Sequence, residues 1–211
     1  MHIAIVGLGN IGSRVATNLT AGAVNVVVSD RDLEKARQLA KKLGPNAVAM
    51  SIDAAMKQAD VVILSIMFDV LKTFVVEHRA DLAGKIVVDP SNPIAPEGKG
   101  FKKIISADRS AGQIIAKLLP EGAELVKAFG TMSARSLGAA TNRKPEPAVL
   151  FYATDFPEAG NAVAKLIRAS GFAPVSVGGI DQAVRIEAFG DLNESGKLGR
   201  LVSYGESETL V

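Results

Sequence analysis

The chain has no cysteine and no tryptophan, and only two tyrosines and two histidines among its 211 residues. Without cysteine there is no disulfide, no zinc–thiolate site and no thiol nucleophile, which suits a reducing cytoplasm. No apolar run exceeds strand length, so no membrane span is expected. Met1 leads directly into an apolar strand, leaving no room for a signal peptide; a soluble, cytoplasmic protein is expected. A formal net charge of +2, with no Lys/Arg block, gives no reason to expect a nucleic-acid partner. His2 begins the first strand and His78 ends a helix among charges, and neither belongs to a Ser–His–acid or HExxH arrangement. No catalytic residue and no metal-ligand set is assigned.

What is present is concentrated at the N-terminus, in MHIAIVGLGNIGSRVATNLTAGAVNVVVSDRDLEKA. It reads as an apolar strand over 2–6, a glycine turn, a helix, and a second apolar strand ending at Asp30. Each glycine of GLGNIG has its own task. Gly7 permits the tight strand-to-helix turn, Gly9 lets the backbone approach a pyrophosphate, and Gly12 lets the helix pack on the strand. The amides and positive dipole end of that helix then face phosphate. A lone GxGxxG says little, but here strand, turn, helix and a second strand with an acidic end all follow in order, as in a dinucleotide-binding unit.

The rest of the chain keeps the alternation. Helices are expected at 33–43, 53–57, 69–78, 110–119, 158–171 and 181–189. Strands are expected at 47–50, 60–66, 85–89, 124–128, 148–153 and 174–177. The segments DPSNPIAPEGKG and 133–147 read as loops, the latter exposed. This rhythm means an α/β, doubly wound, mostly parallel Rossmann-type sheet, extended by further strands in the second half. With no linker-like shift in composition, residues 1–211 read as one domain, with 190–211 as a tail. Right-handed crossovers bring Gly7, Asp30, Ser65 and Asp89 to one sheet edge, where ligands of such folds bind.

Asp30 is placed to accept hydrogen bonds from an adenosine ribose, favouring NAD. Arg31 and Lys35 follow it and suit a 2′-phosphate. The residues alone leave NAD and NADP both open.

Several strings then carry a resemblance to a known family: IAIVGLGNIG, SDRDLEKA, VVILSI, VVDPSNP, DRSAGQIIAKLLP, VKAFGTMSA and GFAPVSVGGIDQAVRIE. The chain resembles, from its opening to about Glu187, the NADP-dependent oxidoreductases of the deazaflavin coenzyme F-420, and also the cytosolic domain of membrane ferric reductases. The resemblance implies a pyrophosphate on Gly9, Asn10 and Ile11, and a 2′-phosphate near Arg31 and Lys35. It implies a nicotinamide half along Ser65, Ile66 and Met67, with Met132 and Ala134 lining the nicotinamide and acceptor pocket. The family usually has a small hydroxyl residue where this chain has Asp30, and often Asn or His where it has Gly130.

Hydride transfer between nicotinamide and a flavin-like ring needs stacking and alignment more than acid–base help, which suits a chain poor in candidate catalysts. Ser91 and Asn92, at a strand C-terminus, either hydrogen-bond a carboxamide or an acceptor ring, or only turn the chain; Thr131 and Ser133 have the same two readings. The cofactor is therefore expected to be NADP, with NAD possible, and a flavin or deazaflavin is the small-molecule hydride acceptor. A hydroxyacid or imine dehydrogenase would need a large helical second domain that this chain lacks. A dinucleotide-binding redox sensor without turnover is the alternative from another class. A homodimer is expected, with residues 190–211 completing it or covering the acceptor site.

Overall fold

The computed structural model describes all 211 residues. In chain order they form β1 (Ile3–Val6), α1 (Asn10–Ala21), β2 (Val26–Ser29), α2 (Leu33–Leu43), β3 (Ala47–Ala49), α3 (Ile52–Gln58), β4 (Val61–Leu64), α4 (Phe68–Glu77) and α5 (Arg79–Leu82). There follow β5 (Ile86–Asp89), β6 (Ile94–Glu97), β7 (Gly100–Lys103), α6 (Ala111–Leu118), β8 (Glu124–Lys127) and α7 (Ala134–Ala139). The chain ends in β9 (Val149–Tyr152), α8 (Pro157–Ala169), β10 (Ala173–Ser176), α9 (Ala183–Ile186) and α10 (Tyr204–Ser207). No helix is long and apolar enough to cross a membrane.

Six strands make one parallel sheet in the order β3-β2-β1-β4-β5-β8. Their near-continuous Val, Ile and Leu content reflects burial on both faces. Successive residues of β1 serve opposite faces, Ile3 and Ile5 in one apolar core and Ala4 and Val6 in the other. Each fully buried Val or Ile contributes roughly 1.5–3 kcal/mol. The order reverses between β1 and β4, which opens a crevice at their C-terminal ends. Beyond β8 the sheet is continued by an antiparallel bridge: Lys127 and Ala153 exchange backbone hydrogen bonds of 2.9 and 3.0 Å. The parallel pair β9–β10 lies beyond it, over a third apolar cluster shared with α9 and the tail.

The structure corrects three expected boundaries. The loop after β5 contains the hairpin β6–β7, closed by Gly98 (φ +57°) and Lys99. Pro93 and Pro96 argue against strand, yet a two-stranded ribbon has an open edge where a missing N–H goes unfelt, and the glycine supplies the positive φ that such turns require. The segment 133–147 is not all loop: Ser133 caps α7 by accepting the Ser136 N–H, and α7 docks on α1 through Asn18, whose Nδ2 donates to the Leu137 carbonyl at 2.8 Å. The helix expected over 181–189 is only a 3-10 turn (Ile180–Gln182) and α9, because Glu187 leaves helical geometry for an extended one and turns its carboxylate to the start of α6.

The glycine turn admits no side chain at its last position. A Cβ on Gly12 would lie 1.9 Å from the Gly7 carbonyl oxygen. Gly12→Ala should therefore cost about 3 kcal/mol or more, read as a lower urea midpoint; an unshifted midpoint would mean that α1 does not pack as described.

Candidate functional site

The glycine turn is the centre of the site. Gly7 adopts φ +90°, and a Cβ there would meet the Ser65 carbonyl at 2.5 Å, so β1 and β4 close tightly beneath the turn. Gly9 has nothing within 4 Å of where its Cβ would be, leaving the outer face of the turn open to a ligand. α1 begins with no side-chain cap and no acidic residue in its first turn. Its first amides, those of Asn10 and Ile11 included, are those a helix leaves without an internal acceptor, and they suit an anion.

Two hollows meet over Gly9 and Asn10. The first, about 430 Å³, is lined by Leu8, Ser13, Arg14, Thr17 and Lys35. Asp30 stands behind it at the end of β2, committed to the protein. One carboxylate oxygen accepts the Leu8 N–H at 2.8 Å and Lys35 Nζ at 3.1 Å, the other the Asp32 N–H at 3.2 Å. Burial alone would raise this carboxyl; the bonds from Leu8, Asp32 and Lys35 outweigh it and hold its pKa below the ordinary value. Asp30 thus clamps the glycine turn, and Lys35 neutralises it. Arg31 is exposed beside them.

The second hollow, about 390 Å³, runs from Gly9, Asn10 and Ile11 along Ser65, Ile66 and Met67 to Pro90, Ser91 and Asn92. The β6–β7 hairpin adds Ile94, Pro96 and Phe101 to its wall. Met67 and Phe101 are 68% and 60% exposed, unusual for large apolar side chains. The structure thus brings Gly9, Asn10, Ile11, Ser65, Ile66, Met67 and Asn92 to one cleft. It does not bring Met132 there: that side chain is buried, lining a void of about 10 Å³ with Leu192 and Leu198. Ala134, at the start of α7, is also off the cleft wall. The Asn92 side chain is engaged at both ends, its Nδ2 donating to the Gly130 carbonyl at 3.0 Å and its Oδ1 accepting the Ala188 N–H at 2.6 Å. His2 lies with Asp60 at the opposite sheet edge and His78 with Asp81, both remote from this wall.

Sequence reasoning missed the support beneath the cleft. Lys127, at the end of β8, is buried with its Nζ 2.8 Å from Asp89, donating also to the Ser91 carbonyl and 3.9 Å from Glu187. Glu187, equally buried, accepts the Ala111 and Gly112 N–H groups at 2.9 and 2.8 Å, capping α6 from a distant part of the chain. Burial pushes the Glu187 carboxyl above its ordinary pKa; Lys127 and the two amides pull it back without cancelling the rise. The signal was a lysine inside the apolar run ELVKAF. The tail joins the same support: Asn193 Nδ2 donates to the Gly130 and Ile186 carbonyls, and Glu194 accepts the Ser133 N–H at 2.8 Å. Gly130 is required there, since a Cβ would come within 2.6 Å of the Pro90 carbonyl. An Asn or His at this position could not coexist with the present loop.

A parallel sheet whose first crossover carries this glycine turn, with a cleft on either side, defines a Rossmann-type dinucleotide-binding protein. Residues 2–93 match the family model described as NADP oxidoreductase coenzyme F420-dependent. The F420-dependent NADP reductase of Methanothermobacter thermautotrophicus is 28% identical over 200 residues, covering 89% of this chain and 85% of that protein. The metalloreductase STEAP3 of Rattus norvegicus is 30% identical over 187 residues, covering 88% of this chain; the chain spans only 36% of the rat protein. A hypothetical protein of Sinorhizobium meliloti superposes with a TM-score of 0.84 at 31% identity, over 96% of this chain and 95% of that one. Residues 2–93 thus carry this family's pattern, and over most of its length the chain is similar to an F420-dependent NADP reductase.

Removing the Lys127 charge leaves Asp89 and Glu187 buried without it. Lys127→Met should cost about 3–5 kcal/mol, measured by urea unfolding; a loss under about 1 kcal/mol would mean that the cluster is not a support. Because the Glu187 pKa is raised on folding, its contribution is fully present below the unfolded value of 4.5 and is lost as pH rises through the higher folded value. Unfolding midpoints of the wild type should show that descent and those of Glu187→Gln should lack it; identical slopes would contradict the assignment.

Proposed function

We propose that the chain binds NADP(H) across the glycine turn and transfers a hydride between its nicotinamide ring and a flavin- or deazaflavin-like acceptor. The observation that carries this reading is that Gly9 and Asn10 line both hollows, with phosphate-suited amides at that shared stretch. The Asn10 and Ile11 amides hold the pyrophosphate. The adenosine half lies on the Lys35 side, where Arg31 and Lys35 meet a 2′-phosphate. The nicotinamide half lies along Ser65, Ile66 and Met67.

When bound, NADPH supplies the hydride. The chain's own part is to orient two rings and exclude water, because no acid–base pair faces the second hollow and none is needed. The wall of Met67, Ile94, Pro96 and Phe101 is apolar and open on one side, as a second planar ring requires. The similarity to an F420-dependent NADP reductase and to a metalloreductase supports nicotinamide-linked reduction with differing acceptors.

The test is anaerobic oxidation of NADPH by the purified protein, offered a deazaflavin and, for comparison, FMN. Turnover with the deazaflavin is expected; tight NADPH binding with neither acceptor reduced would make the chain a redox-sensing module instead. Asp30→Ser, which frees Lys35 and removes a carboxylate from the ribose side, should raise the NADPH-to-NADH affinity ratio about tenfold. An unchanged ratio would place Asp30 out of the nucleotide's reach.

A further inference from the structure

Two buried side-chain oxygens have no hydrogen-bond partner, Ser91 Oγ and Thr131 Oγ1. Buried hydroxyls are normally paired, and an orphan calls for an explanation. For Thr131 the explanation is local. It lines the void of about 10 Å³ beneath the tail, which is room for about one water molecule. Ser91 differs. Its residue is 7% exposed, and it belongs to the wall of the 390 Å³ cleft beside Pro90 and Asn92.

Ser91 is also held more firmly than a turn residue needs to be. Its N–H donates to Asp89 Oδ1 at 2.7 Å, and its carbonyl accepts from Lys127 Nζ. Both partners are buried and joined to each other by the 2.8 Å ion pair. Neighbouring Asn92 is fixed by Gly130 and Ala188. The backbone on each side of the hydroxyl is therefore immobilised, while the hydroxyl itself has no partner. A polar group with both neighbours locked and its own valence open is the arrangement expected of a ligand contact in a wall that mixes apolar and polar residues.

Resting on the proposed NADP(H) reading, we propose that the Ser91 hydroxyl hydrogen-bonds the carboxamide of the nicotinamide ring. A hydroxyl suits this group because it both donates to the amide oxygen and accepts from the amide nitrogen. The carboxamide lies at the end of the dinucleotide that the Ser65–Met67 side of the cleft receives. Ser91 thereby sets which face of the ring the acceptor meets, and Asp89 and Lys127 act on the coenzyme through it as positioning residues. The Oγ is itself buried, so the ring reaches it only where the cleft wall yields.

The test compares Ser91→Ala with the wild type by calorimetric titration of NADPH and of adenosine 2′,5′-bisphosphate, which carries the adenosine half without nicotinamide. The alanine variant should bind NADPH about tenfold more weakly and the bisphosphate equally well. Its melting temperature should be unchanged or higher by about 2 °C, because an unpaired buried hydroxyl has been removed. Thr131→Val, the control, should leave the affinity for NADPH unchanged. Unaltered NADPH affinity in Ser91→Ala would overturn the proposal. So would equal weakening of both ligands or a lowered melting temperature, since these mark a structural role. A wild-type protein that binds no NADPH would sink the cofactor reading itself and this inference with it, a result distinct from a wild type that binds and a variant that binds equally.

Discussion

The ammonium of Lys127 is the charge around which the C-terminal edge of the sheet is arranged. Burying it without compensation would cost several kcal/mol, so the chain surrounds it with Asp89, the Ser91 carbonyl and Glu187. Each of these groups belongs to a different part of the structure. Asp89 ends β5, Ser91 begins the loop that walls the cleft, and Glu187 follows α9 and caps α6. One buried cation thus ties a strand end, a cleft wall and a distant helix start into a single arrangement. Such clusters add little net stability compared with apolar packing, but they are unforgiving of altered geometry. That is a useful property beneath a site whose proposed chemistry rests on placing two rings.

A second clamp works on the other side of the glycine turn. Asp30 holds the Leu8 amide and Lys35 together, so the acidic residue of the fingerprint stabilises the turn even with no nucleotide present. The two clamps differ in electrostatic character. Asp30 is stabilised as an anion by donors that overcome its burial, whereas burial dominates at Glu187. Between them lies the open face of Gly9, with the phosphate-suited amides of α1.

The fold was largely legible because its signals are local. Strand–turn–helix periodicity, the GLGNIG string and the Asp32 cap of α2 need no knowledge of distant residues. The Gly9–Ile11 and Ser65–Met67 stretches come to one cleft for the same reason, since parallel β1 and β4 must end at the same edge. Part of what was not legible depends on contacts across long sequence separations. Asn92 reads either as a ring contact or as a turn residue, and only the structure shows its side chain engaged by Ala188 and Gly130. Met132 resembles a pocket residue, but Leu192 and Leu198 from the tail surround it. The hairpin β6–β7 was hidden by its prolines, and α7 by the polar composition around it. For Asn92 and Met132 the deciding partner lies far along the chain, whereas the hairpin pairs locally and was masked by its prolines alone.

Lys127 also has a second role through its backbone, which exchanges hydrogen bonds with Ala153 and so attaches β9 and β10 to the main sheet. The same residue therefore joins the outer strands to the cleft wall. Any excursion that peels β9 away strips Lys127 of part of its scaffold and loosens Ser91 with it. By mass action, a ligand held in the cleft suppresses such excursions in proportion to its saturation. Amide exchange in β9, far from any contact with the ligand, should then slow with occupancy, making the outer strands a reporter of the state of the cleft.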